Sequence, residues 1–163
     1  RPEMEALARE TGESVNLAVP LGREALYLDQ VEGTKLVRLF TAPGSRAPLH
    51  ATGVGKVFLA YLGVPEGLSL TPYTPHTLTR LPDLLRELEA VRGRGYALDN
   101  EEKELGVRCV AAPVFGASGG VVAALSLSAP ASRLSLEEAH RLAPRVVEAA
   151  RRASLRLGYT GEV

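Results

Sequence analysis

Three apolar runs follow one another with almost no chain between them. Residues 14–20, 24–31 and 35–40 are separated only by Leu21-Gly22-Arg23 and Glu32-Gly33-Thr34, loops short enough for antiparallel hairpins. Alternation in Val15-Asn16-Leu17-Ala18-Val19 and in Ala25-Leu26-Tyr27-Leu28 fits strands with one buried face. A second set of strands is expected at 96–99, 107–115 and 120–128, with Ala117-Ser118-Gly119 turning the last hairpin. Helices are expected at 2–11, where Pro2 starts and Gly12 stops the run, and at 52–62, where Thr52 is the N-cap and Gly63 lies past the end. A third covers 82–92, apolar at Leu84, Leu85, Leu88 and Val91. Residues 42–48 read as a turn-rich loop and the proline-rich 64–82 as a surface excursion.

The best-marked element closes the chain. Ser135-Leu136-Glu137-Glu138 is a capping box. Beyond it Leu136, Ala139, Ala143, Val146, Ala150, Ala153 and Leu157 recur at three and four residues and draw one apolar stripe. Pro144 is expected to kink this helix. Strands joined by short loops, with helices between and after them, give an α+β fold with a mostly antiparallel central sheet flanked by helices.

At 163 residues the chain suits one domain, with 45% apolar and 23% charged residues. Its 19 basic and 19 acidic side chains cancel, and the balance holds on either side of Arg80. No excess basicity supports a nucleic-acid surface. The single Cys109 excludes an internal disulfide, and with three scattered His it gives no basis for a structural metal site. No cofactor is implied. No apolar run approaches the roughly 20 residues that span a bilayer, so soluble cytoplasm is the expected setting. The opening Arg1-Pro2-Glu3-Met4 carries no initiator Met or targeting segment; a partner domain upstream of Arg1 is the expectation.

Few stretches carry chemistry. Gly53-Val54-Gly55-Lys56 lacks the leading Gly and trailing Ser or Thr of a phosphate loop, since His50 and Val57 stand there. Its small residues either leave helix-start N–H groups open to a carboxylate or permit close packing on the sheet. Cys109 alternates with Val107 and Ala111 on one strand face, with Arg108 and Val110 opposite; it either lines a pocket or packs in a core. Ser126 and Ser128 share a face and send Leu125 and Leu127 to the other. Their hydroxyls form a pocket floor or meet solvent. Asp99 ends a strand and points inward, while the acid-dense Asn100-Glu101-Glu102-Lys103-Glu104 after it reads as a solvated loop. No nucleophile, base and oxyanion donor assemble, so the residues describe a binder rather than an enzyme.

Two segments resemble a known family. Residues 49–60, Leu49-His50-Ala51-Thr52-Gly53-Val54-Gly55-Lys56-Val57-Phe58-Leu59-Ala60, are similar to a signature of the effector-binding domain of IclR-type transcriptional regulators. A second signature is matched from Gly95 through Phe115, continuing into Ala123-Ala124-Leu125-Ser126-Leu127-Ser128 and Arg133-Leu134. The resemblance covers essentially all of residues 1–163 and implies a GAF-like domain. It further implies a DNA-binding winged helix-turn-helix preceding this chain, a small-molecule effector, and self-assembly into a dimer or tetramer. Carried over position by position, the implied ligand pocket comprises Gly53, Val54, Asp99, Val107, Cys109, Ser126 and Ser128, with Leu36 and Leu39 as apolar walls. In that picture helix-start amides and the two serines hold the oxygens of a small carboxylic acid. Asp99 takes a ligand hydroxyl or bridging water, because an ionised carboxylate repels a bare one. The rival readings are an assembly scaffold without ligand and a thiol or serine hydrolase using Cys109 or Ser126.

Overall fold

The computed structural model describes residues 1–35 and 41–161. Helix α1 (Pro2–Thr11) leads into β1 (Ser14–Leu21) and β2 (Glu24–Val31), followed by a short β3 (Arg46–Pro48). Then come α2 (Gly53–Leu62), α3 (Leu81–Arg94), β4 (Ala97–Asn100), β5 (Val107–Phe115), β6 (Val121–Pro130) and α4 (Leu136–Arg156). The six strands form one sheet in the order β3-β2-β1-β6-β5-β4, and every neighbouring pair is antiparallel. This is the α+β arrangement that the short loops require.

Local chemistry sets most boundaries. Gly22 at φ 60 starts the β1–β2 turn, and because Leu21 pairs with Glu24 the loop is two residues rather than the expected three. A positive φ at the first central position suits the twist of a tight hairpin and favours glycine. Glu138 N–H donates to the Ser135 hydroxyl at 3.1 Å, which in turn donates to the Glu138 carboxylate at 3.2 Å, capping the first turn of α4. The chain continues as helix through Pro144.

One element differs from its expectation. Arg46–Pro48, read as loop, is an edge strand: Glu24, Ala25 and Leu26 of β2 pair with Pro48, Ala47 and Arg46. Tertiary pairing here overrides a composition that favours turns, and Pro48 is tolerated because an edge strand leaves one side of its backbone unpaired. The strand expected over 35–40, with Leu36 and Leu39, falls on residues 36–40 outside the described residues.

Period-two alternation divides the core into two layers. Leu98, Val110, Ala112, Val114, Leu125 and Leu127 face one side and pack with Met4 and Leu7 of α1 and the Ala139–Val146–Ala150 stripe of α4. Ala97, Ala111 and Ala124 face the other side and pack under Val54, Val57 and Phe58 of α2, with Leu84, Leu88 and Val91 of α3. Small residues on the second face let α2 approach the sheet closely. Leu127→Ala removes a fully buried side chain at the centre of the first layer; denaturant unfolding is expected to show a loss of about 2–5 kcal/mol with the fold retained.

Candidate functional site

Strand register brings distant residues into rows. Ser14, Ser128, Cys109 and Asp99 stand opposite one another across β1, β6, β5 and β4. The adjacent row is Gln30, Asn16, Ser126, Ala111 and Ala97 across β2, β1, β6, β5 and β4. Partners in antiparallel register share a face, and this one is the face that α2 covers. Ser126, Ser128, Cys109 and Asp99 therefore come together, as alternation along each strand required. Val107 begins β5 on the same face, half-buried and opposite Pro130.

The start of α2 rests on this row. A Cβ on Gly53 would lie 3.1 Å from the Ala111 Cβ and 3.9 Å from the Cys109 Cβ, and one on Gly55 only 2.4 Å from the Leu49 carbonyl oxygen. Close packing thus explains both glycines. It also sets the first turn of α2, whose amides lack acceptors within their own helix, against the sheet face that carries Cys109. Thr52 fixes the helix entry: its hydroxyl donates to Pro48 O at 2.7 Å and accepts from Gly55 N–H at 3.1 Å. The Val54 side chain is buried in the layer between helix and sheet.

A chain of polar contacts crosses the face. Gln30 Nε2 donates to Asn16 Oδ1 at 2.9 Å, Asn16 Nδ2 donates to Ser128 Oγ at 3.4 Å, and Ser128 Oγ lies 3.1 Å from Cys109 Sγ. Burial pushes the Cys109 thiol well up, Asp99 adds to the rise, and the Ser128 hydrogen bond only partly opposes it. A thiol held protonated is a poor nucleophile. The Tyr27 phenol, on the same face opposite Ala18, is pushed up by burial first and then by Cys109 and Asp99.

Asp99 is 4% exposed and accepts a 2.8 Å hydrogen bond from Glu102 N–H. Burial raises its carboxyl to about 7; the Glu102 N–H opposes this, the Glu102 charge reinforces it, and Lys56 pulls it back. An Asp that is neutral below about pH 7 can donate to a ligand carboxylate, whereas an ionised one repels it.

Glu102 itself corrects the sequence reading of a solvated acidic loop. It is buried, and its carboxylate receives the Lys56 ammonium at 2.9 and 3.0 Å; Lys56, 0% exposed, also reaches Glu87 of α3 at 2.8 Å. Thr74 and Thr77 of the proline-rich excursion donate to the Glu101 and Glu102 carbonyls at 2.6 Å each. Sequence reasoning missed Asn16, Gln30, Tyr27 and the Lys56–Glu102 pair. Alternation in β1 carried the signal for Asn16, but Tyr27 and Gln30 are three apart in β2 and share a face only because the register shifts by one residue between them.

A separate groove of about 400 Å³ runs between α1 and α4, lined by Glu3, Glu10, Arg145, Glu148, Arg152 and Arg156 among others. It belongs to the opposite face of the sheet. Among the described residues no three His, Cys, Asp or Glu side chains gather to hold a metal.

Comparison with known proteins adds an independent line. Residues 1–155 match the family described as bacterial transcriptional regulator IclR C-terminal. The HTH-type transcriptional regulator XynR of Escherichia coli (strain K12) is 40% identical over 159 residues, which are 94% of this chain and 63% of that protein. This chain therefore spans less than two thirds of that relative. The crystal structure of Thermotoga maritima IclR superposes with a TM-score of 0.88 at 37% identity, covering 97% of this chain and 66% of that one. A double mutant of the PobR inducer-binding domain from Acinetobacter, in complex with 3-hydroxybenzoic acid, gives 0.84 at 27% identity over 94% of both chains.

Two measurements test this geometry. Lys56→Ala leaves Glu102 buried without its cation, and chemical denaturation is expected to show a loss of about 3–5 kcal/mol. Folded Asp99 keeps a proton, up to about pH 7, that the unfolded chain releases near pH 4. Its contribution to stability is complete below about pH 4 and is lost as pH rises through about 7, at no more than about 1.4 kcal/mol per pH unit. The stability of Asp99→Asn measured relative to the parent should accordingly improve from pH 4 to pH 7 and stay level above.

Proposed function

The chain belongs to the bacterial transcriptional regulator IclR C-terminal family, and on that premise we propose that its α2-covered face binds the anion of a small organic acid. The observation that carries the reading is the convergence of Ser128, Cys109 and Asp99 in one row beneath the start of α2. Such a site offers hydrogen-bond donors in a mostly apolar layer: the Gly53 and Val54 amides, the Ser126 and Ser128 hydroxyls, and the neutral Asp99 carboxyl. Helix-start amides favour negative charge. Val107 and Cys109 supply apolar contact. The acid in the PobR complex supports the same ligand class.

The proposal extends to the whole regulator. A DNA-binding winged helix-turn-helix preceding this segment, assembly into a dimer or tetramer, and a cytoplasmic setting belong to it. Effector binding then biases operator affinity through the arrangement of subunits, and it can do so only as far as it favours one arrangement. A differential of about 1.4 kcal/mol changes operator affinity tenfold. A hydrolase reading loses support from the protonated state of Cys109.

Titration calorimetry with a panel of small carboxylates, acetate to pentanoate and their keto and hydroxy derivatives, tests the site. Ser128→Ala is expected to weaken a binding acid about tenfold. Affinity for the parent should fall as pH rises through about 7, where Asp99 ionises and repels the anion. Asp99→Asn, which keeps a donor without a titrating proton, should bind with little pH dependence. Equal binding by Ser128→Ala and the parent refutes the assignment.

A further inference from the structure

A peptide group is rigid and planar, so whatever holds its oxygen also aims its N–H. The peptide between Glu101 and Glu102 follows directly on β4 and carries the N–H that donates to Asp99 at 2.8 Å. Its oxygen, Glu101 O, points the other way and accepts the Thr74 hydroxyl at 2.6 Å. One plane thus joins a threonine of the proline-rich excursion to the carboxyl in the polar row. The direction is set by chemistry, because a carbonyl oxygen only accepts. The Thr74 oxygen in turn accepts from His76 N–H at 3.0 Å.

This peptide does not hold itself. Glu101 has φ 57, a left-handed conformation uncommon outside glycine, asparagine and aspartate. Such backbone persists only where its surroundings fix it. Lys56 and Arg108 grip the side chains of Glu102 and Glu101, which leaves the peptide plane itself to Thr74. Buried Thr77 secures the arrangement: it donates to Glu102 O at 2.6 Å and accepts from the N–H groups of Tyr73 and Thr74 at 3.0 Å each. A His50 ring nitrogen lies 2.8 Å from Thr71 O, so the same excursion is also fastened to the chain that enters α2.

We infer that Thr74 is a positioning residue of the acid site: through the Glu101–Glu102 peptide it fixes one oxygen of Asp99 and leaves the other for the ligand. A carbonyl that accepts a strong hydrogen bond also makes the N–H of its own plane a better donor. The inference rests on the acid-binding reading above and adds to it a residue outside both the sheet and α2, acting without touching the ligand.

Calorimetry with the same panel of carboxylates, together with amide hydrogen exchange on the free chain, tests it. Thr74→Val keeps the shape without the hydroxyl and should weaken a binding acid about tenfold. Thr74→Ser restores the hydroxyl and should bind within about twofold of the parent. In an Asp99→Ala background Thr74→Val should cost less than about twofold, because residues that act through one contact are not additive. Glu102 N–H should exchange about tenfold faster in Thr74→Val than in the parent or Thr74→Ser. Full affinity or unchanged exchange in Thr74→Val, an equal cost in both backgrounds, or no rescue by Thr74→Ser overturns the inference and leaves the acid-binding reading standing. Binding of no acid by the parent overturns both. A Glu102 amide that exchanges in the parent as freely as an exposed loop amide overturns the inference with no variant, so it can fail even where a substitution unfolds the chain.

Discussion

One buried ammonium organises the functional half of this domain. Lys56 projects from α2 with no exposed surface and meets Glu102 at the end of β4 and Glu87 on α3. Removing a charge from water costs several kcal/mol before any partner is counted, so the arrangement persists only because both carboxylates are in place. The consequence is geometric. The first turn of α2 is pinned over β5, α3 is tied to α2, and the chain leaving β4 is folded back so that Glu102 N–H reaches Asp99. The proline-rich excursion then fastens to the same turn through Thr74 and Thr77.

The polar row gains its character from that packing. Asp99 lies close to Glu102 and under an apolar layer, so its proton is held to about pH 7 and its carboxyl becomes a donor. Cys109 is denied ionisation by the same surroundings. Hydroxyls and amides that would be ordinary on a wet surface become selective in such a layer, because each unmatched polar atom is expensive there. The opposite face of the sheet shows the contrast: Leu125, Leu127, Val110 and Val114 meet α1 and α4 in an apolar cluster. One sheet thus carries a structural face and a chemical face, divided residue by residue along the same strands.

Much of this was legible in the residues. Alternation in Ala124-Leu125-Ser126-Leu127-Ser128 placed the serines together and the leucines apart, and Ser135 with Glu138 marked the start of α4. Where reading failed, a contact from far along the chain decided the matter. Glu102 sits in an acidic run that has every local mark of a solvated loop, and only the arrival of Lys56, 46 residues earlier, makes it a core residue. Arg46-Ala47-Pro48 has turn composition and becomes a strand because β2 offers it an edge. Asn16 and Gln30 look like outward polar positions until the sheet is covered on their side.

The sequence by itself determined the local periods: where helices cap, which strand residues share a face, and that short loops demand antiparallel neighbours. Those are properties of backbone geometry and of residues within a few positions of one another. Only the tertiary structure decided which face α2 covers and which acid is buried. The covered face and the buried acid depend on charge burial and on the register of strands up to 114 residues apart, as when Ser14 meets Ser128, and no short-range pattern encodes either.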